Sequence, residues 1–119
     1  MSESILVVDD EVAILNSLSP ILEDEGYQVT VAKSGVEALK TLIAEPPDLM
    51  LLDIWMPEMD GLETLKRARE QMPKLLVVMM SGHGTIDTAV EATRIGAIDF
   101  LEKPIALQKL LNAVKRGLE

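Results

Sequence analysis

The chain has 119 residues, 48% of them hydrophobic, and a net charge of -9. That length and apolar content support one ordered domain with a sizeable core and exclude a disordered chain. The acidic balance argues against binding nucleic acid or anionic membranes, and the lack of cysteine excludes disulfide and thiol chemistry.

Ile5-Leu6-Val7-Val8 is an apolar run that ends in Asp9-Asp10-Glu11. It predicts a buried strand followed by an acidic loop. From Val12 to Asp24, Ile14, Leu15, Leu18, Ile21 and Leu22 recur at helical spacing. Pro20 should kink that helix or weaken one turn, and Gly26 closes it. Gln28 to Ala32 alternates polar and apolar, as a half-buried strand does. Ser34 and Glu37 have capping-box spacing ahead of Val36, Leu39, Leu42 and Ile43. Pro46-Pro47 stops the second helix.

Asp48 to Asp53 predicts the third strand. Its apolar residues, Leu49 to Leu52, suit burial on both faces, and packing gives no reason for Asp53 at the end. Pro57 breaks the chain after it. Asp60 and Glu63 again have capping spacing, so Asp60 reads as a helix cap rather than a site residue. The third helix runs to about Gln71. Leu75 to Met80 predicts a fourth, fully buried strand, followed by the small loop Ser81-Gly82-His83-Gly84-Thr85. Ile86 to Ile95 is helical, Ile98 to Glu102 a short strand, and Leu107 to Leu118 the last helix.

Five strands alternating with five helices imply a parallel sheet covered on both faces. Strands one, three and four are apolar throughout and belong in the middle. Strands two and five carry polar residues and belong at the edges. The predicted fold is a flavodoxin-like (βα)5 doubly wound sheet with strand order 2-1-3-4-5. Its switch point lies between strands one and three, where Asp9, Asp10 and Asp53 end up. Ser81 and Lys103 follow strands four and five on the same rim.

Three carboxylates in one cleft call for a hard cation, and oxygen-only ligation suits Mg²⁺. An ammonium at Lys103 and a hydroxyl at Ser81 complete a set of groups able to bind a phosphoryl group, with a carboxylate as nucleophile. An aspartyl-phosphate phosphatase of the haloacid dehalogenase type is the alternative; it wants an Asp-x-Asp nucleophile after strand one, where this chain has Asp9-Asp10-Glu11. A flavin-binding module on the same topology would need a phosphate loop where two carboxylates stand.

The residues Val7-Val8-Asp9-Asp10-Glu11, Leu51 to Pro57, Met59-Asp60-Gly61, Ser81 to Gly84 and Phe100-Leu101-Glu102-Lys103-Pro104 together resemble the response-regulator receiver domain of two-component signalling. The resemblance covers essentially residues 1–119 as one receiver domain. It implies a signalling module rather than a turnover enzyme, with a histidine kinase as phosphoryl donor. With no signal peptide and no long apolar stretch in the sequence, a cytoplasmic protein is the default expectation. Asp53 would be the phospho-acceptor. Asp10, supported by Asp9, would hold Mg²⁺ together with Asp53 and the backbone carbonyl of Trp55. Ser81 and Lys103 would contact the phosphoryl group. Ser81 and Phe100 would act as the switch, reshaping the surface of the fourth helix, fifth strand and fifth helix. Phe100 lacks the hydroxyl of the tyrosine more common there. Trp55 and His83 are expected to restrict hydrolytic water. The segments Met80 to Thr85 and Ala97 to Pro104 are similar to receivers of sigma-54-dependent activators of the nitrogen-regulation type. That likeness implies ATPase and DNA-binding domains in a parent protein, phosphorylation-dependent homodimerisation, and a chain that is either a piece of such a protein or a stand-alone receiver.

Overall fold

A computed structural model describes residues 3–82 and 86–119. The strands are β1 (Ser4–Val8), β2 (Gln28–Ala32), β3 (Leu49–Asp53), β4 (Leu76–Ser81) and β5 (Asp99–Glu102). Between and after them run α1 (Val12–Asp24), α2 (Gly35–Ala44), α3 (Gly61–Gln71), α4 (Ile86–Ile95) and α5 (Leu107–Leu118). All strand pairs are parallel and the order is β2-β1-β3-β4-β5, as the polarity of the strands predicted.

Side chains alternate across the sheet, so each strand feeds two cores. Leu6, Val8, Met50, Leu52, Val77 and Met79 pack with Ala38 and Leu42 of α2, Leu65 and Ala68 of α3, and Ala92 of α4. Ile5, Val7, Leu49, Leu51, Val78 and Met80 pack with Leu15, Leu18 and Leu22 of α1 and Leu110, Ala113 and Val114 of α5. β3 is buried along its whole length, which is why it tolerates no polar residue before Asp53. β2 and β5, each with one paired edge, keep exposed polar positions.

Both capping signatures hold. Ser34 Oγ accepts from Glu37 N at 3.1 Å, and Asp60 Oδ1 accepts from Glu63 N at 2.9 Å. Thr64 Oγ1 adds a bond to the Asp60 carbonyl at 2.8 Å. Asp60→Ala is therefore expected to lose about 1 kcal/mol of stability in urea unfolding. An unfolding midpoint unchanged from the parent would mean that the Asp60 side chain contributes nothing as a cap. α1 is helical across Pro20 rather than interrupted there, since Leu15, Leu18 and Leu22 bury its inner face on both sides of the proline. β4 extends one residue further than Leu75 to Met80 suggested, because the Ser81 carbonyl accepts from Lys103 N at 2.8 Å and so continues the ladder.

Candidate phosphoryl and metal site

The register of the sheet assembles the site. Asp9 follows β1, with its N–H donating to the Ala32 carbonyl at 3.1 Å. Asp53 ends β3 opposite Met80 of β4. By the alternation along their strands, Asp9 and Asp53 continue the face of Val7 and Leu51, toward α1 and α5. One carboxylate oxygen from each of Asp9, Asp10 and Asp53 lies within 4.8 Å of the other two. Asp9 is fully buried and Asp53 is 3% exposed, whereas Asp10 is exposed.

Lys103 reaches into this group from the end of β5. Its Nζ lies 2.7 Å from Asp9 Oδ2, 3.2 Å from Asp53 Oδ1 and 3.3 Å from Glu11 Oε1. The other Asp9 oxygen, Oδ1, accepts from Glu11 N at 2.9 Å. Both oxygens of Asp9 are thus engaged. That fits a supporting role and leaves it poorly placed as the nucleophile of a dehalogenase-type phosphatase.

The charges do not balance locally. Asp9, Asp10, Glu11 and Asp53 face one ammonium. Burial pushes the Asp53 carboxyl up to about 6, the Asp9 charge adds to this and Asp10 adds less, while Lys103 pulls the other way. Burial disfavours the charged form of Lys103, yet its hydrogen bond to Asp9 and the charges of Asp53 and Asp9 outweigh that and raise it above the ordinary lysine value. A hard divalent cation among these oxygens would relieve the remaining repulsion, so the donor set fits Mg²⁺ or an ion like it.

The other expected site residues divide between the two sheet faces. Ser81 is buried at the end of β4, next to Glu102 in register. Met79 pairs with Phe100, so Ser81, two residues past Met79, and Phe100 share the face toward α3 and α4. Phe100 is half-buried against that core. Trp55, two residues past Asp53, is 51% exposed. His83 lies outside the described residues.

Two residues carry more than the sequence suggested. Glu11, read only as part of an acidic loop, holds Lys103 by its side chain and Asp9 by its backbone. The run Asp9-Asp10-Glu11 was the signal, but it does not say which of three carboxylates meets the lysine. Gly61, noted in the sequence only as part of the Met59-Asp60-Gly61 motif, lies directly against the backbone of Asp53 and Ile54.

Residues 5–115 match the family model of the response regulator receiver domain. Nitrogen assimilation regulatory protein NtrX of Azorhizobium caulinodans is 45% identical over 121 residues, covering 100% of this chain and 27% of that protein. The solved receiver domain of NtrX from Brucella abortus superposes with a TM-score of 0.91 at 46% identity, covering 96% of this chain and 97% of that one. A CheY-like receiver domain protein from Methanospirillum hungatei gives 0.95 at 36% identity, covering 99% and 94%. The chain spans about a quarter of the length of the NtrX-type relatives it matches.

Proposed function

This chain belongs to the response regulator receiver family, and from that premise we propose that Asp53 is its phospho-acceptor. It is the receiver domain of an NtrX-like response regulator, and the general role of such a domain is to be phosphorylated on aspartate and so regulate an output domain. The observation that carries the residue assignment is the Lys103 ammonium lying between buried Asp9 and Asp53, 2.7 and 3.2 Å from their oxygens.

The donor in this reading is a phosphohistidine of a histidine kinase. An Asp53 carboxylate oxygen forms a bond to phosphorus, the phosphorus–nitrogen bond breaks, and the imidazole leaves with its electron pair and takes up a proton. Asp10, Asp9, Asp53 and the Trp55 carbonyl would hold Mg²⁺. When bound, that ion supplies positive charge against the oxygens of the transferring group. Lys103, 3.2 Å from Asp53 Oδ1, supplies a second positive charge, and Ser81 a hydroxyl donor. Asp9 keeps Lys103 in place.

Once phosphorylated, Asp53 carries oxygens that favour an inward position of the Ser81 segment. Ser81 and Phe100 stand on one face of neighbouring strands, so that movement changes the space available to Phe100 and the surface of α4, β5 and α5. The phosphoryl group shifts the equilibrium only as far as it binds one conformer better than the other. Exposed Trp55 is assigned the role of limiting water at Asp53. Residues 1–119 act as one receiver domain, and the ATPase and DNA-binding domains of a longer protein receive its output. No helix among the described residues is long and apolar enough to cross a membrane.

The test is phosphoryl uptake from phosphoramidate, followed by intact mass. The parent in Mg²⁺ is expected to gain one phosphoryl group, labile to hydroxylamine as an acyl phosphate is. Chelating Mg²⁺ should abolish the gain. Uptake that is hydroxylamine-resistant, or that maps to a residue other than Asp53, would overturn the assignment.

A further inference from the structure

Three carboxylates lie around the Lys103 ammonium, Asp9 at 2.7 Å, Asp53 at 3.2 Å and Glu11 at 3.3 Å, and the Glu11 contact is a hydrogen bond. These three partners are unequal. Asp9 is buried and held from behind by the Glu11 N–H. Asp53 is buried at the end of a central strand. The Glu11 side chain is 62% exposed and reaches the ammonium from the mouth of the cleft, 92 residues away in sequence.

A phosphoryl group on Asp53 brings new anionic oxygens to the same ammonium. The Asp53 carboxylate is consumed in forming the acyl phosphate, so the phosphoryl oxygens take its place at Lys103 and, carrying more charge, compete with the two carboxylates that remain there, Asp9 and Glu11. Asp9 is the expensive one to release, since a fully buried carboxylate without its cation costs several kcal/mol. Glu11 is the cheap one, because water takes over at once.

We infer that Glu11 is a positioning residue: its carboxylate holds the Lys103 ammonium in the unphosphorylated site and competes with the phosphoryl group for it. Glu11 is the N-cap residue of α1, yet its side chain makes no cap bond to the helix and is spent on Lys103 instead. This inference rests on the phospho-acceptor reading of Asp53. Its consequence is that one exposed side chain at this position tunes how readily the site accepts and keeps a phosphoryl group.

Beryllofluoride, which occupies an acceptor aspartate as a phosphoryl group does, is the probe, titrated calorimetrically at saturating Mg²⁺. Four proteins form a cycle: the parent, Glu11→Gln, Lys103→Ala and the double variant. Glu11→Gln keeps the backbone bond to Asp9 and is expected to bind beryllofluoride about two- to fivefold more tightly, the range of an exposed ion pair. In the Lys103→Ala background the same change should have no effect. Glu102→Gln removes a charge from the residue next to Lys103 whose side chain is in none of the ion pairs among the described residues, and it should leave affinity within error of the parent. An unchanged affinity in Glu11→Gln, or an equal gain with Lys103 absent, overturns the inference while the phospho-acceptor reading stands. A parent that fails to bind the probe overturns both.

Discussion

Asp53→Asn is expected to be more stable than the parent at neutral pH in metal-free buffer, although it takes up no phosphoryl group. The reason is the burial of Asp53. Its carboxyl is pushed up to about 6 from an ordinary value of 3.8, first by loss of water, then by the Asp9 charge, with Asp10 adding less and Lys103 opposing. A group whose folded value is raised binds its proton more tightly in the native state. Its contribution to stability is therefore complete below about pH 4 and is lost as pH rises through about 6. At 1.36 kcal/mol per unit, a rise of about two units amounts to roughly 3 kcal/mol of stability forgone at pH 7.5. Asparagine recovers part of it, because it removes the repulsion and also the attraction to Lys103. A net gain of about 1–2 kcal/mol is expected, or several degrees in the unfolding midpoint. The check is thermal unfolding of both proteins from pH 5 to 8 with a chelator present. Asp53 contributes to the parent a fall in stability across that range which the variant should lack. Saturating Mg²⁺ should then narrow the gap, since it stabilises only the protein that keeps its ligands. An asparagine variant less stable than the parent at pH 7.5 would mean that the Lys103–Asp53 attraction outweighs desolvation.

The same balance explains why the site was legible from the sequence only in part. Leu49 to Leu52 announces a central strand, and a carboxylate at its end has no packing purpose; strand order then follows from which strands carry polar residues. These are local signals, apolar runs and the polar residues that end or interrupt them, and they placed Asp9, Asp53, Ser81 and Lys103 on one rim. Direction within the rim is different. Asp9 and Asp10 are adjacent in sequence but one is fully buried and the other exposed, because the ladder continues through Asp9 N and ends there. Whether Glu11 caps α1 or reaches Lys103 depends on a contact spanning 92 residues, which no window of the sequence contains. The α1 helix survives Pro20 for a similar reason. Tertiary burial of Leu15, Leu18 and Leu22 outweighs one missing backbone bond.

Gly61→Ala is the second change expected to have a large effect, and it acts on the site through the backbone. After Asp53 the chain runs out through Trp55 and Pro57, turns at Glu58 with φ 66°, and returns to start α3. Gly61 N donates to the Ile54 carbonyl at 2.6 Å. A Cβ on Gly61 would overlap the Asp53 carbonyl oxygen, and would stand 2.6 Å from Ile54 Cα and 2.8 Å from the Asp53 carbonyl carbon. The glycine is needed here for close approach, since the obstructing atoms are backbone of a buried central strand and have no rotamer to escape into. Either α3 moves out or the end of β3 moves, and both displace Asp53 relative to Lys103. A loss of about 2–3 kcal/mol is expected in denaturant unfolding, the range of an overpacked core. Uptake from phosphoramidate should also slow, because the distances that bind Lys103 between Asp9 and Asp53 depend on where β3 ends. Gly82, on the same rim, is the matched control. Among the described residues a Cβ there would meet nothing nearer than Lys103 Cβ at 3.8 Å, so Gly82→Ala should unfold within about 0.5 kcal/mol of the parent. Equal stability and equal uptake in the two variants would show that the Asp53 backbone yields to the added methyl at no cost, and that the return of the loop does not fix the position of Asp53.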